Sequence, residues 1–261
     1  LEDEIAELRK AKELPEGKTI FHEILRSDIP ESEKEIERIR DEAMVLIVAG
    51  SETTASTMVA ITYHLLSDRA MLARLKAELE SANPGPNEYP DPAKLDNLPF
   101  LNALIQEAIR LYPGATPRQD RAAPDEDLIY WRPDGTAFTI PRGTGVGMTA
   151  PILNRHPDLY PDPDTFRPER FIEDPKLAKH TFSFSKGGRQ CIGINLAYQE
   201  LQTFTAGIFG KYDIYDATKR EQNGPTLELY ETKIEDVMMH ADYVTPAPYE
   251  GSPGLRLRIR Q

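Results

Sequence analysis

The chain has 261 residues, 39% of them hydrophobic and 28% charged, which is the make-up of a folded globular protein with a substantial core and excludes disorder as the default. Its formal net charge of −12 excludes general tracking along nucleic acid, which needs a basic surface. A single cysteine, Cys191, excludes a disulfide framework. The longest apolar run, AMVLIVAG at 43–50, falls far short of the roughly 18 residues of a membrane span, and no stretch reads as a signal peptide. The chain opens without methionine on a charged, helix-like register, LEDEIAELRK, as expected of a piece cut from something longer.

Ser32 and Glu35 have capping-box spacing, and Ile36, Ile39, Ala43, Leu46, Ile47, Gly50, Thr54, Thr57 and Ile61 follow at helical intervals. They predict one long helix, roughly Ser32 to Leu65. A second helix is read through DRAMLARLKAELESA (68–82). The run NPGPNEYPDPAKLDNLP (83–99), dense in Pro, Asn and Gly, predicts an extended connection, and FLNALIQEAIRLYP (100–113) resumes helical periodicity until Pro113. Glu107 and Arg110 lie three apart on one face of that third helix, where they can pair. Between 127 and 149, β-type residues flank Asp134-Gly135, a hairpin signal.

Another extended, proline-rich run, HPDLYPDPDTFRPERF (156–171), leads to the cysteine. A helix follows Gly193 and ends near Gly210. The tail, LRLRIR, alternates Leu255, Leu257 and Ile259 with Arg256, Arg258 and Arg260, which predicts a strand with one apolar and one charged face. The expected fold is mainly α with small β-sheets, without internal repeats.

Cys191 sits in FSFSKGGRQCIGINLAYQE (182–200), among Gly187, Gly188 and Gly193, just before a helix start. Glycines let a backbone approach another group closely, and the peptide N–H groups of a helix start favour an anionic atom such as a thiolate. Arg189 adds a positive charge suited to a carboxylate-bearing cofactor. Phe184, Gly187, Arg189, Cys191 and Gly193 together spell F-x-x-G-x-R-x-C-x-G, which resembles the haem-binding loop of the cytochrome P-450 monooxygenases. AGSETT (49–54), E-x-x-R at Glu107 and Arg110, the hairpin, and the P-E-R-F element in FRPERF (166–171) follow the same family's order across nearly the whole chain. The wording of RHPDLYPDPDTFRPERF and FSKGGRQCIGINLAYQEL most resembles filamentous-fungal microsomal members, which often serve secondary metabolism.

The resemblance implies a cytochrome P-450 fold, incomplete, with residues 1–261 forming the C-terminal half of a single haem-thiolate monooxygenase domain. Cys191 would be the axial thiolate ligand of haem b iron. Arg189 and Arg121 would pair with its propionates, with Arg118 a competitor for the second place. Phe184 would pack near haem and sulfur, and Gly193 belongs to the same loop. On the long helix, Gly50 would leave room for dioxygen, Thr53 would donate hydrogen bonds to it, and Glu52 would relay protons from solvent. Glu107, Arg110 and Arg170 would form a structural triad fixing the segment before the cysteine loop.

The resemblance also implies O2 and a small organic, hydrophobic substrate as reactants. NADPH electrons would arrive through a separate flavoprotein reductase, which Lys186 would be free to meet. The full-length protein would lie at the endoplasmic reticulum membrane, held by an anchor preceding this segment, which itself is read as having no span. A haem-binding module for sensing, or a truncated and inactive fragment, are the alternatives. His22, His64, His156, His180 and His240 show no metal-ligand spacing and are read as structural or exposed. No nucleotide-binding motif occurs.

Overall fold

The computed structural model describes residues 19–82 and 90–260. The helical register expected at the start of the chain, and residues 83–89 of the expected extended connection, lie outside them. The chain divides into two compact units, one up to Glu52 and one from Thr53 onward.

In the first unit, helix α1 (Ile20–Arg26) precedes a 3₁₀ turn, Glu31–Lys34, and then the long helix α2, Ile36–Ser67, which runs across the division. The capping box expected at Ser32 does not form. Ser32 lies inside the 3₁₀ turn, where the Glu33 N–H already donates to the Pro30 carbonyl at 2.9 Å. Glu35 is extended at φ −64°, ψ 146°, and its carbonyl accepts from Ile39 N–H at 2.9 Å, so α2 starts four residues later than expected.

By length and composition α2 is apolar enough to cross a membrane, with a mean hydropathy of 1.5 over its most apolar window. The sequence reading saw no such span because it counted unbroken apolar runs. Ser51, Glu52, Thr53 and Thr54 break the run while adding only one charge, that of Glu52. The core helix of a folded protein can pass the same test, and the later part of α2 buries Ala60, Ile61 and Leu65 completely.

In the second unit, that part of α2 packs with α3 (Arg69–Leu79), α5 (Pro99–Leu111) and α8 (Ile194–Phe209) around one hydrophobic cluster containing Leu72, Leu75, Leu101, Leu104, Leu201 and Phe209. Asp68 caps α3, accepting from the N–H groups of Ala70 and Met71. Within the connection expected to be extended, Asp91 caps a short helix, α4 (Pro92–Leu95), by accepting from Ala93 N–H at 3.0 Å, with Pro92 at the first helical position. Helix α5 has no cap of its own at Leu98. Instead the Glu78 carboxylate reaches across from α3 and accepts from the N–H groups of Phe100 and Leu101, both at 2.8 Å.

The hairpin forms as expected: β2 (Leu128–Trp131) pairs antiparallel with β3 (Ala137–Ile140), and Gly135 takes φ 84° in the turn. β1 (Gln119–Arg121) pairs with β4 (Val146–Met148), and β5 (Asp213–Ile214), β6 (Thr226–Leu229) and β9 (Leu257–Arg260) form a three-stranded sheet. β7 (Ala241–Tyr243) and β8 (Thr245–Ala247) make a second tight hairpin. The short helices α6 (Ala150–Leu153) and α7 (Glu169–Glu173) stand before and at the end of the proline-rich run, which is therefore not extended throughout. In β9 neither apolar side chain is covered, with Leu257 at 40% and Ile259 at 64% exposure, and Arg258 is exposed as well. Arg258 lies over the Tyr230 ring at 3.3 Å and Arg260 over Tyr215 at 5.2 Å, because a planar guanidinium stacks well on an aromatic face.

His64 on α2 joins two elements. Its ring stacks on Phe166 with centroids 3.8 Å apart, and its Nε2 lies 2.8 Å from the Tyr112 hydroxyl. Burial pushes the His64 imidazole down to about 4 and the Tyr112 phenol up to about 12. An unfolded chain protonates this histidine near 6.5, so the stability it contributes is present above 6.5 and is lost as pH falls from there toward 4. The loss amounts to about 3 kcal/mol. Denaturant unfolding of parent and His64→Gln at pH 7 and pH 4 checks it: the gap between them narrows by about that much in acid. An unchanged gap would place the acid sensitivity elsewhere.

Candidate functional site

Helix α5 carries a buried charged core that ties down the backbone at 154 and 161–167. Ten of the helix's 13 residues are buried, and they include Glu107 and Arg110. Both are 0% exposed, and Arg170, from α7, is 1% exposed. The Glu107 carboxylate takes Arg110 Nε at 2.7 Å and Nη2 at 2.8 Å, a two-point pair, and Arg170 Nε at 3.1 Å. One negative charge thus serves two guanidiniums. The excess positive charge is met by backbone dipoles: Arg110 donates to the carbonyls of Asn154 and Pro163, and Arg170 to those of Pro161 and Thr165. Arg167 N–H donates to Glu107 as well, at 2.8 Å. The triad therefore holds the backbone of 161–167 in place, the structural role expected of it.

Two residues that the sequence reading missed carry this order to the cysteine loop. Asn154, fully buried, donates from its amide to the Arg110 carbonyl at 3.0 Å and to Ser183 Oγ at 2.8 Å, and its oxygen accepts from Phe182 N–H at 2.8 Å. Ser183 Oγ in turn donates to the Ile109 carbonyl at 2.6 Å. The start of the loop is thereby tied to the last turn of α5. An asparagine in NRHP carries no spacing signal of its own, since its partners lie 28 to 44 residues away.

The loop then closes on itself. Cys191 N–H donates to the Phe184 carbonyl at 2.9 Å, and a 3₁₀ turn, Gly187–Arg189, lies between them. Gly187 takes φ 72°, a conformation costly for other residues. Phe184 packs on the main core cluster, with its ring 5.7 Å from that of Tyr198. Cys191 is exposed and unbridged. A β-carbon on Gly193 would stand 3.9 Å from its sulfur, an ordinary contact, which places Gly193 beside Sγ.

Of the two competing arginines, Arg121 reaches the cysteine loop: Nη2 donates to Ser185 Oγ at 3.2 Å. Arg118 turns to the other side of β1 and pairs with Asp120 at 2.7 Å. Arg189 lies exposed within the loop and makes no hydrogen bond or ion pair among the described residues. Lys186 is exposed, and its ammonium donates to the Lys179 carbonyl at 3.0 Å.

On α2, Gly50 and Glu52 belong to the first unit. A β-carbon on Gly50 would meet nothing within 4 Å, and Glu52 is exposed. Thr53, half-buried, belongs to the second unit, and its carbonyl accepts from the Thr57 hydroxyl at 3.2 Å. The cysteine loop carries one soft sulfur, Cys191 Sγ, and one guanidinium, Arg189, and a second guanidinium, Arg121 at the end of β1, reaches the loop at Ser185. Such a set fits iron carried in a ring with carboxylate arms better than it fits a bare ion.

The comparisons with known proteins agree with this chemistry. The family model described as Cytochrome P450 matches residues 3–232. Cytochrome P450 monooxygenase astB of Talaromyces wortmannii is 41% identical over 262 residues, covering 96% of this chain and 51% of the relative. Cytochrome P450 monooxygenase tpcC of Cochliobolus heterostrophus is 37% identical, covering 98% and 50%. Fusicoccadiene C-8 hydroxylase of Phomopsis amygdali is 38% identical, covering 92% and 44%. This chain thus spans about half the length of the curated relatives it matches. A crystal structure of a cytochrome P450 superposes with a TM-score of 0.76 at 23% identity, over 99% of this chain and 54% of that one, which shows the fold. Matched by the family model along most of its length and by named members along nearly all of it, the chain belongs to the cytochrome P450 family.

Proposed function

We propose that this chain forms the C-terminal half of a haem-thiolate monooxygenase that inserts one oxygen atom of O2 into a small, hydrophobic organic substrate, with NADPH electrons delivered by a separate flavoprotein reductase. The observation that carries the reading is the exposed Cys191 on a closed loop beside Arg121 and Arg189. Relatives named for hydroxylating fusicoccadiene at C-8 and N-acetyltryptophan at position 6 support carbon hydroxylation as the reaction. Relatives from fungi support a place in secondary metabolism, and the resemblance to microsomal members of the family is the ground for proposing the endoplasmic reticulum membrane as the location.

Cys191 Sγ would hold the iron, and Arg121 and Arg189 would each take a propionate, their planar forks matching carboxylate oxygens. When bound, haem supplies the iron at which dioxygen is reduced and cleaved, a cleavage that a thiolate ligand favours. The protein's own part is proton placement. Thr53 Oγ1 would hand a proton toward the oxygen site, Glu52 would bring protons in from solvent, and Gly50 would leave room for dioxygen.

The test is Thr53→Ala in a haem-loaded, family-length protein, with product and hydrogen peroxide measured per reductant consumed. Loss of a positioned proton donor costs on the order of 100-fold in the step it serves, so reductant should leave as peroxide while the haem spectrum stays. Coupling at the parent's level would remove Thr53 from the proton path.

A further inference from the structure

Helix α5 ends at Leu111, Tyr112 leaves helical space at φ −123°, ψ 65°, and the chain then runs back along α2. This short return, 112–116, is anchored at both ends. At one end Tyr112 is joined to His64, as described above. At the other, Thr116 is 1% exposed, its N–H donates to the Val244 carbonyl at 3.2 Å, and its hydroxyl donates to Asp242 at 2.7 Å. The β7–β8 tip that receives it turns at Val244, which stands at φ 77° with its N–H donating to Asp242 at 3.0 Å and its side chain exposed.

Between the anchors lies Gly114, and it lies against Thr53. A β-carbon at Gly114 would stand 2.6 Å from Thr53 Cβ, 2.8 Å from its Cα and 2.9 Å from its carbonyl oxygen. Two of those three atoms are backbone, so no side-chain rotation relieves the clash. The return segment cannot retreat while both ends are pinned. The helix is the weaker side here, because the Thr57 hydroxyl shares the Thr53 carbonyl, and such back-bonding loosens and bends a helix.

We propose that Gly114 is a positioning residue for Thr53. By carrying no side chain it lets the pinned return segment close on the helix backbone and so sets where the threonine hydroxyl stands. The inference deepens the proposed function and rests on its reading of Thr53. A β-carbon at 114 displaces the Thr53 backbone by roughly 1 Å, a misplacement that can cost on the order of 100-fold.

The experiment compares Gly114→Ala, Thr53→Ala and the double variant in the haem-loaded, family-length protein. Gly114→Ala should keep the spectrum of the bound haem and divert reductant into peroxide as Thr53→Ala does. The double variant should be no worse than Thr53→Ala alone, because both changes act through one group. A readout independent of turnover is backbone amide exchange, with and without haem: the peptide around Thr53 should exchange faster in Gly114→Ala while that of 99–111 does not. Should Gly114→Ala fail to fold, Thr116→Val releases one anchor without adding a clash, and it should speed exchange around Thr53 and lower coupling.

If Thr53→Ala uncouples while Gly114→Ala and Thr116→Val change neither coupling nor exchange, the role of Gly114 is overturned and that of Thr53 stands. If exchange rises but Thr53→Ala leaves coupling intact, the reading of Thr53 falls and Gly114 is a packing residue only. Additive losses in the double variant would likewise overturn the proposal.

Discussion

Replacing Cys191 by serine in a haem-loaded, family-length protein should abolish the red-shifted Soret band that a thiolate-ligated haem gives in its reduced carbon-monoxide complex. The substitution is nearly isosteric, and nothing that shapes the loop passes through the sulfur. The loop is closed by the backbone bond from Cys191 N–H to the Phe184 carbonyl, and its start is held by Asn154 and Ser183. The variant should therefore fold with stability within about 0.5 kcal/mol of the parent, as expected of an exposed change away from buried networks. What it loses is a ligand that ionises: a serine hydroxyl stays protonated where a thiol can become the thiolate that binds metal. The difference spectrum after reduction and carbon monoxide addition is the measurement. An unshifted band in the serine variant would show that another group holds the iron.

Glu107→Gln should lower the stability of the fold by about 3 to 5 kcal/mol, the cost of leaving buried charge without its partner. The shape is preserved, but the one carboxylate shared by Arg110 and Arg170 is gone, and two guanidiniums at 0% and 1% exposure are left with carbonyls alone. The amide also turns a donor toward a site built for acceptance from Arg110, Arg170 and the Arg167 N–H. An internal control is available in α2, where Arg38 and Glu42 form an ion pair at 2.7 Å with both side chains about half exposed. Glu42→Gln should cost no more than about 0.5 kcal/mol, the usual worth of such a helical pair. Denaturant unfolding of both variants tests the contrast. Comparable losses at the two positions would contradict the burial argument.

Both pairs are same-face helical spacings in the sequence, i,i+3 and i,i+4, and nothing in either spacing says which is buried. What the sequence determined by itself are features confined to a few neighbouring residues. The glycine-rich cysteine loop, the turn at Asp134-Gly135, the helix after Gly193 and the same-face spacing of Glu107 and Arg110 all depend on local backbone geometry, and each stands in the structure where the pattern placed it. The alternation of the last strand was legible too, but not the stacking of its arginines, because that depends on Tyr215 and Tyr230 arriving beneath them.

Tertiary structure alone decided the choices between local equals. It turned Arg121 toward Ser185 and Arg118 toward Asp120, started α2 after Glu35, and drew Asn154, Ser183 and Gly114 into contacts that no spacing announces. The physical reason is that a hydrogen bond or a steric limit is set by what lies opposite in space. For Asn154, Ser183 and Gly114 the opposite partner is a backbone carbonyl or a helix turn dozens of residues away, whose side chain leaves no mark in the pattern.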